Sequence, residues 1–307
     1  VAETRLSTAD LIAPLFVAEG VSAPAPISSL PGQYQHSVDS LLAEVTRLVD
    51  LGVSAVTLFG VPQVKDARGS GASDAEGIMQ VALRRLVAEL GDAVVLIPDL
   101  CLDEYTDHGH CGVVDEQGSV DNDKTVERYQ EIAIAQARAG ADLVAPSGMM
   151  DGQVGAIRHA LDGEGFFDVG ILAYAAKYAS AFYGPFREAV DVEIVGGGDR
   201  RTYQQDPANR RESLREVLLD VEQGADIVMV KPAMTNLDVI ADVASAVDVP
   251  VAAYHVSGEY SMIKAAAERG WIDGPAAALE QLTSIKRAGA DMILTYFAGE
   301  LAEVLDA

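Results

Sequence analysis

Four times along the chain a stretch of helical periodicity runs into a glycine and passes directly into an apolar segment. The four phrases are LGVSAVTL from Leu51, AGADLVAP from Ala139, QGADIVMV from Gln223 and AGADMILT from Ala288. Glycine closes a helix in the left-handed conformation without the Cβ penalty that other residues carry, so the chain can turn straight into a strand. A repeated helix, glycine and strand favours one βα array over two unrelated domains. The stretches between, such as SVDSLLAEVTRLVDLG, DKTVERYQEIAIAQARAG, RESLREVLLDVEQG and PAAALEQLTSIKRAG, carry apolar residues at steps of three and four. That is the pattern of helices laying one face on a sheet.

Apolar runs occur at 11–17, 55–61, 93–100, 142–148, 169–176, 192–198, 226–232, 249–258 and 291–299. Runs of this length alternating with helical stretches point to parallel strands. The expectation is an α/β chain folded as a (β/α)8 TIM barrel, with residues 1–307 forming a single catalytic domain. Nine runs exceed the eight strands of such a barrel, so the first is expected to be an edge strand or a barrel-bottom element. A doubly wound open sheet is the alternative, but no G-x-G-x-x-G follows the early strands. No Pro/Ser/Gly linker or low-complexity stretch divides the chain.

A formal charge of −25 argues against nucleic acid or anionic membrane as a partner, because both would be repelled over the outer surface. No apolar run reaches the length of a membrane span, and no secretory signal is visible. The chain opens VAETRLSTAD without an initiator methionine, so residues 1–10 are expected to be the remnant of an amino-terminal arm. Two cysteines ten positions apart, Cys101 and Cys111, do not make a disulfide framework, and a reducing cytoplasm is expected.

In a barrel the carboxyl ends of the strands converge on one mouth, where the chemistry resides. Those ends carry Asp99, Ser147, Lys177, the glycines at 196–198, Lys231, Ser257 and Tyr296. One strand-end lysine is as readily a salt-bridged surface residue, and Ser147 or Ser257 alone can simply cap a turn. Two lysines in such positions are another matter. Burial among apolar neighbours is expected to lower the pKa of each and free a nucleophilic amine, and two amines suit two carbonyl substrates.

Seven segments carry a family resemblance: DLCLDEYTDHGHCG (99–112), APSGMMDG (145–152), YAAKYASAFYGPFR (174–187), DRRTYQQDPANRRE (199–212), MVKPAMTNLDVI (229–240), AAYHVSGEYSM (252–262) and ILTYFA (293–298). On these the chain resembles the porphobilinogen synthase, or 5-aminolevulinate dehydratase, family. The resemblance implies condensation of two 5-aminolevulinate molecules to porphobilinogen in tetrapyrrole (haem) biosynthesis. It implies that Lys231 holds the first substrate as a Schiff base and Lys177 the second. Arg187, Arg200 and Gln204 match the residues for the second substrate's carboxylate, a role that suits guanidinium forks. Ser257 and Tyr296 match the hydroxyl pair for the first. Asp99 is a candidate proton-transfer group, with a buried structural carboxylate as the alternative.

Zinc-using relatives bind that ion through three cysteines; here Cys101 and Cys111 match the outer two and Asp103 stands in the middle position. Two thiolates, a carboxylate and a water make an acceptable zinc set, although the family also has members without this zinc. His108 and His110 read as supporting donors. Glu216 matches a glutamate that holds an activating magnesium through waters, and a solvated helix charge is its alternative reading. The segment 188–206 resembles an active-site lid that would shield the imines from water. The family assembles as a homo-octamer. Two other classes remain to be distinguished: a one-lysine aldolase or dehydratase, and a noncatalytic barrel that binds a carboxylated ligand.

Overall fold

A computed structural model of the chain describes residues 1–195 and 199–305. Its strands in chain order are β1 (Leu11–Ala18), β2 (Ala25–Pro26), β3 (Tyr34–His36), β4 (Ala55–Val61), β5 (Val95–Leu100), β6 (Leu143–Pro146), β7 (Gly170–Lys177), β8 (Ile227–Lys231), β9 (Val251–His255) and β10 (Met292–Thr295). β1 and β4 to β10 are hydrogen-bonded in sequence order, all parallel, and β10 pairs back onto β1 through Leu11↔Ile293 and Ile12↔Leu294. This closed eight-stranded ring is a (β/α)8 barrel, and closure rules out the open sheet.

The surplus apolar run is not the first. LIAPLFV is buried along its whole length because β10 and β4 flank it, and the hairpin of β2 and β3 docks on its upper end at Phe16↔Gln35. The run whose described part, 192–195, forms no strand is the one at 192–198. Glu193 and Val195 point to solvent and Asp191 just before them has φ 51°, so residues 192–195 offer no continuous apolar face to a sheet. Gly196, Gly197 and Gly198 lie outside the described residues.

The helices between strands are α1 (Val38–Asp50), α2 (Ile78–Leu90), α3 (Asn122–Ala139), α4 (Gln153–Gly163), α5 (Gly184–Ala189), α6 (Arg210–Glu222), α7 (Leu237–Ala246), α8 (Ser257–Glu268), α9 (Gly274–Ala288) and α10 (Ala298–Leu305). In α1 the Ser37 side chain caps the start by accepting from the Ser40 amide, and Leu41, Val45 and Leu48 line the buried face. Each such side chain removed from water stabilises the fold by about 1.5–3 kcal/mol.

The repeated phrases end these helices as expected. Gly52, Gly140, Gly224 and Gly289 have φ of 85°, 101°, 103° and 118°. The aspartate that follows three of them has a second task. Asp142 accepts from the Leu96 amide at 2.7 Å, Asp226 from Ile171 at 2.8 Å and Asp291 from Val251 at 2.8 Å. In each case the aspartate's own amide donates back to the same residue's carbonyl. Three neighbouring strand pairs are thus clamped at their entrances, which fixes where each reaches the opposite rim. No helix among the described residues is long and apolar enough to cross a membrane.

Candidate active site

Lys177 and Lys231 are the last residues of adjacent strands and lie in direct register. They are 5 % and 6 % exposed, so both amines are inside the mouth. A one-residue irregularity in β7 between Ala173 and Ala176 brings Tyr174 to the same face as Lys177. Three residues apart on a regular strand, those two would point to opposite faces.

Lys231 sits among four rings. Its Nζ is 4.2 Å from the centroid of Tyr254, 5.1 Å from Tyr174 and 5.3 Å from both Tyr183 and Phe186. Burial, followed by the charge of Lys177, brings the Lys231 amine down to about 7. Lys177 departs from expectation. Burial lowers its pKa too, but Cys111, Cys101 and Asp103 raise it by more, and the net shift is upward. Apolar neighbours were the basis for expecting a depressed value, whereas the loop carrying the cysteines surrounds this ammonium with anions. Lys177 also donates to the Ser147 carbonyl at 2.6 Å.

The acidic wall of the mouth follows β5. Ser147 Oγ donates to Asp99 Oδ2 at 3.0 Å, and burial lifts the Asp99 carboxyl to about 6 against the opposing charge of Lys177. Sulfur and oxygen atoms of Cys101, Asp103 and Cys111 lie within 4.8 Å of one another, all buried. Burial pushes the Cys101 thiol up, while a hydrogen bond from Cys101 holds Cys111 down. Asp103 makes a buried ion pair with Arg200 at 2.9 Å; burial raises its pKa, but Arg200 and Lys177 hold it below the usual carboxylate range.

Tyr129 braces this loop by donating to the Cys111 carbonyl at 2.6 Å. The brace requires glycine at 148, since a Cβ there would fall 1.7 Å from the Tyr129 hydroxyl. Gly148→Ala is therefore expected to displace Tyr129 and cost about 1–3 kcal/mol, read as a lower denaturant midpoint. An unchanged midpoint would refute the brace.

The donors expected for carboxylates gather at the other side. Arg200 is buried, donates to the Gly109 carbonyl at 2.8 Å and leaves Nε without a partner. Arg187, half-buried on α5, also has an unpartnered Nε, and Gln204 an unpartnered Nε2. Burial, followed by the charge of Arg200, lowers the Arg187 pKa. Tyr296 shares a 3.1 Å hydroxyl contact with Tyr254, a wall of the Lys231 cage. Ser257 faces a different partner: its hydroxyl donates to the Phe182 carbonyl at 3.2 Å and accepts from the Phe186 amide at 3.1 Å, anchoring the segment that supplies two cage rings.

The described part of 188–206 lies over the cysteine loop. The Val195 amide donates to the His108 carbonyl, and the Tyr203 hydroxyl meets His110 Nδ1 at 3.2 Å and the Cys111 amide at 3.3 Å. Its near end is held by Lys65, which donates to the carbonyls of Val190 and Asp191. Glu216 is not in the mouth. It lies half-buried on α6 and lines a cavity of about 410 Å³ together with Asp151, Tyr203, Gln204 and Glu212.

The family model for delta-aminolevulinic acid dehydratase matches residues 1–304. The chain belongs to that family. The delta-aminolevulinic acid dehydratase of Streptomyces coelicolor is 63 % identical over 307 residues, covering 99 % of this chain and 92 % of the relative. That of Mycobacterium leprae is 60 % identical over 304 residues, covering 98 % and 92 %. A solved family structure, the Toxoplasma gondii enzyme in complex with the reaction product porphobilinogen, superposes with a TM-score of 0.97 at 47 % identity and covers 99 % of this chain and 86 % of that one.

Against this family pattern, the rings of Tyr174, Tyr183, Phe186 and Tyr254 were missed in the sequence although all lie in the quoted segments. Proximity to Lys177 along the chain was an available signal for Tyr174 and Tyr183, whereas Tyr254 reaches Lys231 from the next strand and no spacing reveals it. Glu104, buried beside Asp103, was also missed.

Proposed function

We propose that this chain is a porphobilinogen synthase, a hydro-lyase that joins two 5-aminolevulinate molecules with loss of two waters. The pairing of Lys177 and Lys231 in register, both buried, carries this reading. Lys231, with the lower pKa, attacks the ketone of the first substrate and expels water to form an imine inside its aromatic cage. Lys177 does the same with the second. Each iminium draws electrons from its neighbouring carbon, which makes that carbon's proton removable and the imine carbon open to attack. Asp99, buried within the field of both lysines and with a pKa of about 6, carries protons in this reading. One new carbon–carbon and one carbon–nitrogen bond then close the ring as both lysines are released.

Arg187, Arg200 and Gln204 bind the second carboxylate, and their unpartnered nitrogens support this. Tyr296 contacts the first substrate's carboxylate, with Ser257 beside it. Cys101, Asp103 and Cys111 hold a divalent ion, zinc by the softness of two thiolates. That ion would act as a Lewis acid and offset the anionic field on Lys177. Magnesium is assigned to Glu216, supported by its acidic neighbours Asp151 and Glu212. Residues 1–307 act as one catalytic domain. Assembly as a homo-octamer is consistent with the exposed Leu218 and Leu219 on α6, and a cytoplasmic location with two unbridged thiols.

Incubation with 5-aminolevulinate, scored by the pyrrole colour with chelator and with zinc or magnesium restored, tests the reading. Product is expected, falling on chelation and returning with zinc. Asp103→Ala is expected to weaken binding of the ion by about tenfold or more in a chelator competition run with substrate present. No product from folded protein under any metal condition would overturn the assignment, and an aldol product would favour a one-lysine enzyme.

A further inference from the structure

Glu104 is 2 % exposed, and neither of its carboxylate oxygens has a hydrogen-bond partner. Asp99 uses Oδ2 for Ser147 and leaves Oδ1 equally unpartnered. A carboxylate oxygen of each and the Cys101 sulfur lie within 4.8 Å of one another, in a group that shares only Cys101 with the Asp103 set, although the Glu104 carboxyl lies against that of Asp103. A buried carboxylate without donors is costly unless a proton or a cation compensates it. Asp103 already has its compensation in Arg200 at 2.9 Å. The acceptors left free in the mouth are thus those of Asp99 and Glu104.

We propose that Asp99, Cys101 and Glu104 form a second position for the divalent ion, which shares the Cys101 thiolate with the first. The inference rests on the reading that the mouth holds such an ion at all. One thiolate and two carboxylates are donors that zinc and cobalt accept. The buried acids Asp99, Cys101, Asp103, Glu104 and Cys111 face the buried bases Lys177, Lys231 and Arg200. Both positions draw on the same Cys101 sulfur, so they are alternatives for a single ion. Asp103 is free to ligate only where Arg200 finds another anion, such as a substrate carboxylate; Glu104 is free without it.

The test uses the full chain stripped by chelator and titrated, without substrate, with zinc against a chromophoric competitor and with cobalt. Glu104→Gln is expected to bind zinc about tenfold or more weakly, still at one ion per chain. Its cobalt complex keeps the thiolate charge-transfer band, because both cysteines remain, while the ligand-field bands shift. Glu104→Gln is expected to gain less thermal stability from added zinc than the parent does. Glu104→Asp, which keeps the carboxylate but shortens the arm, is expected to lose affinity as well. Parental affinity and an unchanged cobalt spectrum in Glu104→Gln would overturn the second position alone. Failure of the parent to bind zinc or cobalt would overturn it together with the metal reading.

Discussion

Lys231→Ala is expected to reduce porphobilinogen formation by at least about a thousandfold, because no neighbouring group can replace the amine as a covalent electron sink. Four aromatic rings surround Nζ, and burial brings the amine to about 7. The free amine therefore accumulates as pH rises through that value. Trapping of substrate by borohydride should speed up from pH 6 to pH 8 in the parent and vanish at this site in the variant. The sign for stability follows from the same shift. Between about 7 and the ordinary 10.5 of a lysine, the unfolded chain binds the proton and the folded chain does not, so this group's contribution to stability increases with pH across that window. A variant with parental activity would end the two-imine mechanism.

Lys177→Ala is expected to abolish product to a similar extent, yet to leave one substrate trappable on Lys231. Mass spectrometry after borohydride should find a single adduct, on the peptide that carries Lys231. The difference arises from the surroundings. Lys177 is held as an ammonium by Cys111, Cys101 and Asp103 and by its bond to the Ser147 carbonyl, so it is the amine that needs its anionic neighbours offset before it can attack. Two adducts in the variant, or none, would contradict the order in which the lysines are loaded.

The barrel was legible because its signals are local. Glycine at a helix end and a run of apolar residues after it need no distant contact to be recognised, and the structure places Gly52, Gly140, Gly224 and Gly289 in the required left-handed region. The candidate mouth was legible for the same reason: a strand end is a position along the chain. What could not be read depends on contacts across the chain. The partner of Asp103 is Arg200, ninety-seven positions away, and no spacing discloses that pair. The upward shift of Lys177 depends on which loop folds over it. The surplus run could have been read from composition: VEIVGGG at 192–198 carries a glutamate and three glycines, whereas LIAPLFV at 11–17 has no charged residue, and closure of β10 on β1 places that first run in the barrel.

The clamps made by Asp142, Asp226 and Asp291 have a further consequence. Parallel strands can slide past one another only in whole-residue steps, and a single step in β8 relative to β7 would break both bonds between Asp226 and Ile171. It would also turn Lys231 away from the barrel interior. The separation of the two reacting amines is therefore set digitally, by a count of residues from an anchor at the opposite end of the barrel. Loops around the mouth can change in length and sequence without altering that count.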